Sequence, residues 1–172
     1  MKRTLSILLF LSLAACAGLR AGGLIPGQST LEDVLVAMGP PALQWQEPDG
    51  SRRLAYPRGP MGVHTYMVDV APNGRLARIE NAMDMSTFAR VAAGLNADEV
   101  SRLLGPPVDE WTSYFTARDE LVLGWRYCDD WNQLARFFVL FDGKNTVRST
   151  MSLLENQVGS CGGSWGGCWC SR

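Results

Sequence analysis

A helix stop used twice constrains this chain more than any other feature. Met38-Gly39-Pro40-Pro41 returns as Leu104-Gly105-Pro106-Pro107, an offset of 66 residues. The same offset carries Asp33-Val34 onto Glu99-Val100 and Trp45 onto Trp111. Acid-Val, apolar-Gly-Pro-Pro and Trp at one constant spacing mark two copies of a single small unit. The first copy spans residues 28–90 and the second 91–158.

Each copy opens on a helix. In the first, Ser29 is placed as N-cap with Glu32 at the capping-box position. Leu31, Val34, Leu35 and Met38 then form one apolar stripe. Gly39 suits a left-handed C-terminal residue, and Pro40 and Pro41 forbid continuation. In the second, Asn96 caps, Glu99 completes the box, and Val100, Leu103 and Leu104 make the stripe before Gly105, Pro106 and Pro107. Helices this short are stable only when packed on something else.

Strands follow each helix. Leu43 and Trp45 alternate with polar residues, Arg53–Tyr56 forms a second strand, and Tyr66, Val68 and Val70 share a face of a third. Asn73-Gly74 turns the chain into a fourth at Leu76–Glu80. Asp84–Val91 reads as a short linking helix. In the second copy the strands fall at Val108–Phe115, containing Trp111, then Leu121–Tyr127, Leu134–Phe141 and Thr146–Leu154. The run Leu134–Phe141 is almost wholly apolar, which predicts a central strand covered on both faces. Trp45 and Trp111 are expected to fill one core layer repeated. The fold class expected is α+β: two tandem units, each a short helix followed by a three- to four-stranded antiparallel meander.

The N-terminus has the pattern of an export signal. Lys2 and Arg3 precede the apolar run Leu5–Leu13, too short to span a bilayer as a permanent helix. Leu13-Ala14-Ala15-Cys16 resembles the lipobox of bacterial lipoproteins, which implies cleavage after residue 15 and lipidation of Cys16. Several acyl chains anchor a protein stably where one does not. Residue Ala17 is not Asp, which by resemblance to enterobacterial lipoproteins favours the outer membrane. The Gly-rich residues 16–27 read as a lipidated, flexible tether.

Removing Lys2 and Arg3 leaves 14 basic against 17 acidic residues, a net charge of −3. No basic field points to nucleic acid. The sole histidine, His64, gives little material for His-based catalysis or a multi-His metal site; it reads as a polar residue of the third strand. No nucleophile elbow, zincin motif or phosphate loop occurs. Asp129-Asp130 reads as a solvated loop. The expectation is a non-catalytic protein with no cofactor and no metal.

With Cys16 lipidated, four cysteines remain: Cys128, Cys161, Cys168 and Cys170. Export implies oxidising surroundings and pairing. Cys128 and Cys161 flank the last strands, and a Cys128–Cys161 disulfide would close 33 residues, contributing roughly 3 kcal/mol. Residues 159–172 are Gly- and Cys-rich and read as a disordered tail, with Cys168 and Cys170 as an incidental pair.

Gly27-Gln28-Ser29, Asp33-Val34, Gly39-Pro40-Pro41 and Asn73-Gly74-Arg75-Leu76 together resemble the SmpA/OmlA (BamE-like) family of small outer-membrane lipoproteins. Gly94-Leu95-Asn96, Glu99-Val100, Leu104–Pro107 and Asp142-Gly143 repeat the pattern more weakly. The chain departs from that family in carrying two units. The resemblance implies a lipid-anchored accessory or scaffold protein of the outer membrane, facing the periplasm, with the β-barrel assembly machinery as partner. Tandem units of this shape also resemble the β-lactamase inhibitor protein fold, implying as alternative a periplasmic protein-binding or inhibitory module.

Overall fold

The computed structural model describes residues 23–59, 62–157, 159 and 168–170. The export signal, Cys16 and Cys161 lie outside them. Two units are present, each a helix followed by a four-stranded antiparallel sheet.

In the first unit α1 (Leu31–Met38) precedes β1 (Leu43–Gln46), β2 (Arg52–Pro57), β3 (Thr65–Val70) and β4 (Leu76–Asn81), paired in that order. The helix begins one residue later than Ser29 suggests. Thr30 is the cap and Asp33 closes the box: Thr30 N–H donates to Asp33 Oδ2 at 2.7 Å, and Asp33 N–H donates to Thr30 Oγ1 at 3.2 Å. Ser29 instead accepts from Ile25 N–H at 2.9 Å. Val34 and Met38 bury against Leu54, Tyr56, Val68, Val70 and Leu76. Each is worth about 1.5–3 kcal/mol when fully buried, which outweighs the low intrinsic stability of a two-turn helix.

A short α2 (Met85–Phe88), capped by Asp84, leads into the second unit. There α3 (Ala97–Leu104) precedes β5 (Ser113–Phe115), β6 (Glu120–Cys128), β7 (Leu134–Phe141) and β8 (Val147–Leu154). Asn96 and Glu99 form the expected capping box. Both stops behave alike. Gly39 has φ 80° and donates to Leu35 O at 2.9 Å; Gly105 has φ 77° and donates to Ser101 O at 2.8 Å.

The units stack rather than sit side by side. Val100 and Leu104 of α3 pack on Leu123, Trp125, Phe137 and Val139 of the second sheet. Ala55 and Met67, on the face of the first sheet opposite α1, belong to that same core. The layers therefore run α1, first sheet, α3, second sheet. Gly105 lies against the first sheet, and a Cβ there would stand 2.6 Å from Thr65 Cγ2. Trp125 Nε1–H donates to Gly105 O at 3.1 Å, fixing the other side of the stop.

Two strand expectations change. Val108–Phe115 is not one strand: residues 109–111 make a 3-10 turn, and only Ser113–Phe115 pairs with β6. The run Leu134–Phe141 is central, between β6 and β8, but its burial alternates between half-buried and buried. One face meets α3. The other meets only the short 3-10 turn at residues 109–111 among the described helices.

The expected Cys128–Cys161 pairing is replaced. Cys128, the last residue of β6, is bonded to Cys170, 42 residues on. Cys168 is also disulfide-bonded, so Cys168 and Cys170 are not paired with each other. The described end of the tail is held by backbone. Leu134 N–H donates to Cys168 O at 2.6 Å and Cys170 N–H to Asn132 O at 2.9 Å, forming a bridge between Gln133 and Trp169. Spacing along the chain cannot reveal this, because the bridge extends the β8 side of β7 with residues far away in sequence.

Candidate functional site

The face of the second sheet that turns away from α3 is where the two units differ most in chemistry. The sheets can be aligned by their bulges, which fall between Asp69 and Val70 in β3 and between Leu140 and Phe141 in β7. The cross-strand registers then place Val122 at the position of Arg53, Leu140 at Asp69, Ser149 at Arg78 and Met151 at Glu80.

In the first sheet those four positions form an ion network. Arg53 meets Asp69 at 2.9 Å and Glu80 at 3.1 Å, while Arg78 meets Asp69 at 2.8 Å and Glu80 at 3.0 Å. Arg53 also donates to the carbonyl of Arg102, near the end of α3, at 2.6 Å. This face receives the polar side of α3. Trp45 Nε1–H donates to Asp98 at 3.2 Å, and Arg102 pairs with Glu47 at 2.6 Å while lying over the Trp45 ring. Hydrogen bonds from Arg102 first, then Trp45, hold the Asp98 carboxyl below the usual range.

In the second sheet the matching face has lost all four charges. Val122, Phe138 and Leu140 are half-buried, and Met151 is 41% exposed. None belongs to either apolar core. Phe115, on β5 opposite Glu120, adds an exposed ring at the margin. Gly124 faces the same way, and a Cβ there would meet the Phe138 ring at 2.8 Å and Trp111 Cβ at 3.1 Å. The patch thus has a floor in which a glycine admits two aromatic side chains.

Its lower end is polar but internally matched. Arg126 donates twice to Glu155, at 2.8 and 2.6 Å, and Arg136 donates to Glu155 Oε1 at 3.3 Å. The Arg136 guanidinium lies 3.9 Å from the centre of the Trp111 ring. This separates Trp111 from Trp45. By register, Ser113 rather than Trp111 stands where Trp45 stands. The shared offset therefore does not mark one repeated core layer: Trp45 joins the two units, while Trp111 props the outer face.

The remaining sequence candidates lie elsewhere. Gly39, Pro40 and Pro41 end α1. Pro106 and Pro107 border a cleft of about 330 Å3 that also contains His64, Asp109 and Glu110. His64 lies just before β3, exposed, its ring parallel to Tyr66 with centroids 6.0 Å apart. Asp129 is a turn residue, accepting from Trp131 and Gln133 N–H. No group of three or more metal-ligating residues gathers among the described residues. The sequence signal for the outer face was the apolar run of β7, broken only by Arg136, which needs two covers where the unit supplies one α-helix.

Comparison with known proteins finds no matching family model, no similar curated protein and no similar solved structure. The class that the fold itself defines is a two-unit α+β protein with the second helix enclosed between the sheets.

Proposed function

We propose that this chain is a non-catalytic scaffold, exported and lipid-anchored at Cys16, that binds another protein through the outer face of its second sheet. The observation that carries the reading is the exchange of four charged positions in the first sheet for Val122, Leu140, Ser149 and Met151 in the second. A face that only met water would gain nothing from that exchange, since contiguous apolar surface is a mark of interaction sites. The lipobox and the doubled helix-stop-meander pattern support placement at the periplasmic side of the outer membrane, in a BamE-like accessory role beside the β-barrel assembly machinery.

Photo-crosslinking from Phe138 and Met151 in the lipidated protein in cells, read by mass spectrometry, tests this. The expected result is adducts with β-barrel assembly proteins that vanish in Leu140→Asp while protein abundance holds. Recovery of one soluble periplasmic enzyme instead would identify the inhibitory module. Absence of adducts from both positions would refute the face as a binding site.

A further inference from the structure

Among the described residues, the edge strand next to this face has backbone groups left open, which names the kind of partner that fits. β8 pairs, among the described residues, only with β7. Glu155 N–H donates inward to Leu134 O, whereas Leu154 N–H points outward and is taken by Gln157 Oε1 at 3.2 Å. Antiparallel strands alternate in this respect, so Ser152 and Thr150, two and four residues before Leu154, also direct N–H and C=O outward. At the other end Val147 is closed off: its N–H donates to Leu95 O at 2.7 Å and its C=O accepts from Gly94 N–H at 3.1 Å. Between these two closures lies a short edge left open among the described residues, with residues 148–152 all exposed.

The other edge strands are guarded. β1 has four residues and β5 three. β4 carries the Arg78–Glu80 pair at the positions where β8 has Ser149 and Met151. Short strands and charges are the usual protection against strand pairing; β8 is eight residues long with neither proline nor acid, and its one charge, Arg148, stands at its start, leaving Ser149–Ser152 uncharged.

We infer that β8 accepts an extended segment of a partner protein as an added antiparallel strand. This rests on the reading of the adjoining face as a binding surface, and it specifies the segment. Thr150 and Ser152 supply main-chain hydrogen bonds. Their side chains lie on the face of α3, where a matching partner residue is polar. Met151 and Leu153 lie on the outer face, so alternate partner residues are apolar and extend the patch of Val122, Phe138 and Leu140. At the start of β8, Arg148 and Arg118 both contact the buried carboxylate of Glu120, at 3.1 and 3.0 Å, and remain 55% and 60% exposed. The neighbouring Asp119 carboxylate is engaged by the Tyr114 hydroxyl, and Asp142 accepts from Lys144 and Thr146 N–H within its own turn. Two guanidinium groups against one buried carboxylate favour acid at the C-terminal end of the added strand, which antiparallel pairing brings there.

The test uses the full chain and a labelled synthetic peptide that alternates threonine and valine and ends in two C-terminal glutamates, followed by fluorescence anisotropy. Binding is expected, with slowed amide exchange at Thr150 and Ser152. Ser152→Pro removes an outward N–H without touching the β7 ladder, and Met151→Asp charges the apolar row; each is expected to weaken binding about tenfold or more while thermal unfolding stays cooperative. A peptide ending in two lysines is expected to bind more weakly. Failure to bind, binding indifferent to both substitutions, or edge amides protected by self-association of the free chain in sedimentation would each overturn the proposal. If crosslinks from Phe138 capture a partner while the peptide fails, the edge assignment falls and the face remains.

Discussion

Replacing each stop glycine by alanine measures how the second unit is seated on the first. Gly39 and Gly105 have nearly the same backbone, φ 80° and ψ −166° against φ 77° and ψ −170°. Non-glycine residues are strained there by about 1–3 kcal/mol, a cost common to both. Their surroundings differ. A Cβ at Gly39 meets nothing within 4 Å, whereas one at Gly105 stands 2.6 Å from Thr65 Cγ2 and 3.4 Å from Ala55 Cβ. Overpacking of that kind adds about 1–3 kcal/mol. Gly39→Ala is therefore expected to cost about 1–3 kcal/mol and Gly105→Ala about 2–6 kcal/mol. Thr65→Ser deletes the clashing methyl. In that background Gly105→Ala should recover at least about 1 kcal/mol, a coupling of the size seen between touching residues. Urea unfolding of the four variants gives the cycle. Equal costs for the two glycines, or strict additivity with Thr65→Ser, would refute the enclosure of α3 between the sheets.

The disulfide between Cys128 and Cys170 closes 42 residues, worth about 4 kcal/mol in the loop-entropy account; Cys170→Ser should lower the unfolding midpoint accordingly, and a non-reducing peptide map should recover the two cysteines together. Glu155→Gln should destabilise by about 1.5–3 kcal/mol, since it removes the buried negative charge that accepts from both Arg126 and Arg136, as read by denaturant titration. Asp33 is held below the usual carboxylate range by the Thr30 N–H, then by the Thr30 hydroxyl. A depressed folded pKa gives stability that is present above the unfolded pKa and lost as pH falls through the folded value. α1 should therefore loosen in acid, and Asp33→Asn should blunt that response in NMR titrations.

The sequence exposed the architecture through a few positions whose chemistry has one use. Gly39 and Gly105 take a backbone that other residues avoid, and the prolines behind them cannot extend a helix, so the two stops were readable directly. Asn96 with Glu99 was equally readable. Ser29 misled because Ser, Thr and Asp are similar caps and a one-residue shift leaves the apolar stripe intact. Trp111 misled for a different cause: an offset between two sequences survives insertions in neighbouring strands only by accident, and the bulge registers show that it did not survive here. The outer face was half legible. The apolar character of β7 is plain in the chain, but which of its faces is covered depends on where α3 lies.

The amino-acid sequence by itself determined two units, their helix stops and the order of strands, because caps, turns and periodicity act over a few residues. Only the tertiary structure decided that α3 serves both sheets. It also decided that Cys170 rather than Cys161 reaches Cys128 and that one sheet face is covered, among the described residues, only by the short turn carrying Trp111. Those outcomes depend on which distant surfaces are brought together, and no local pattern records that.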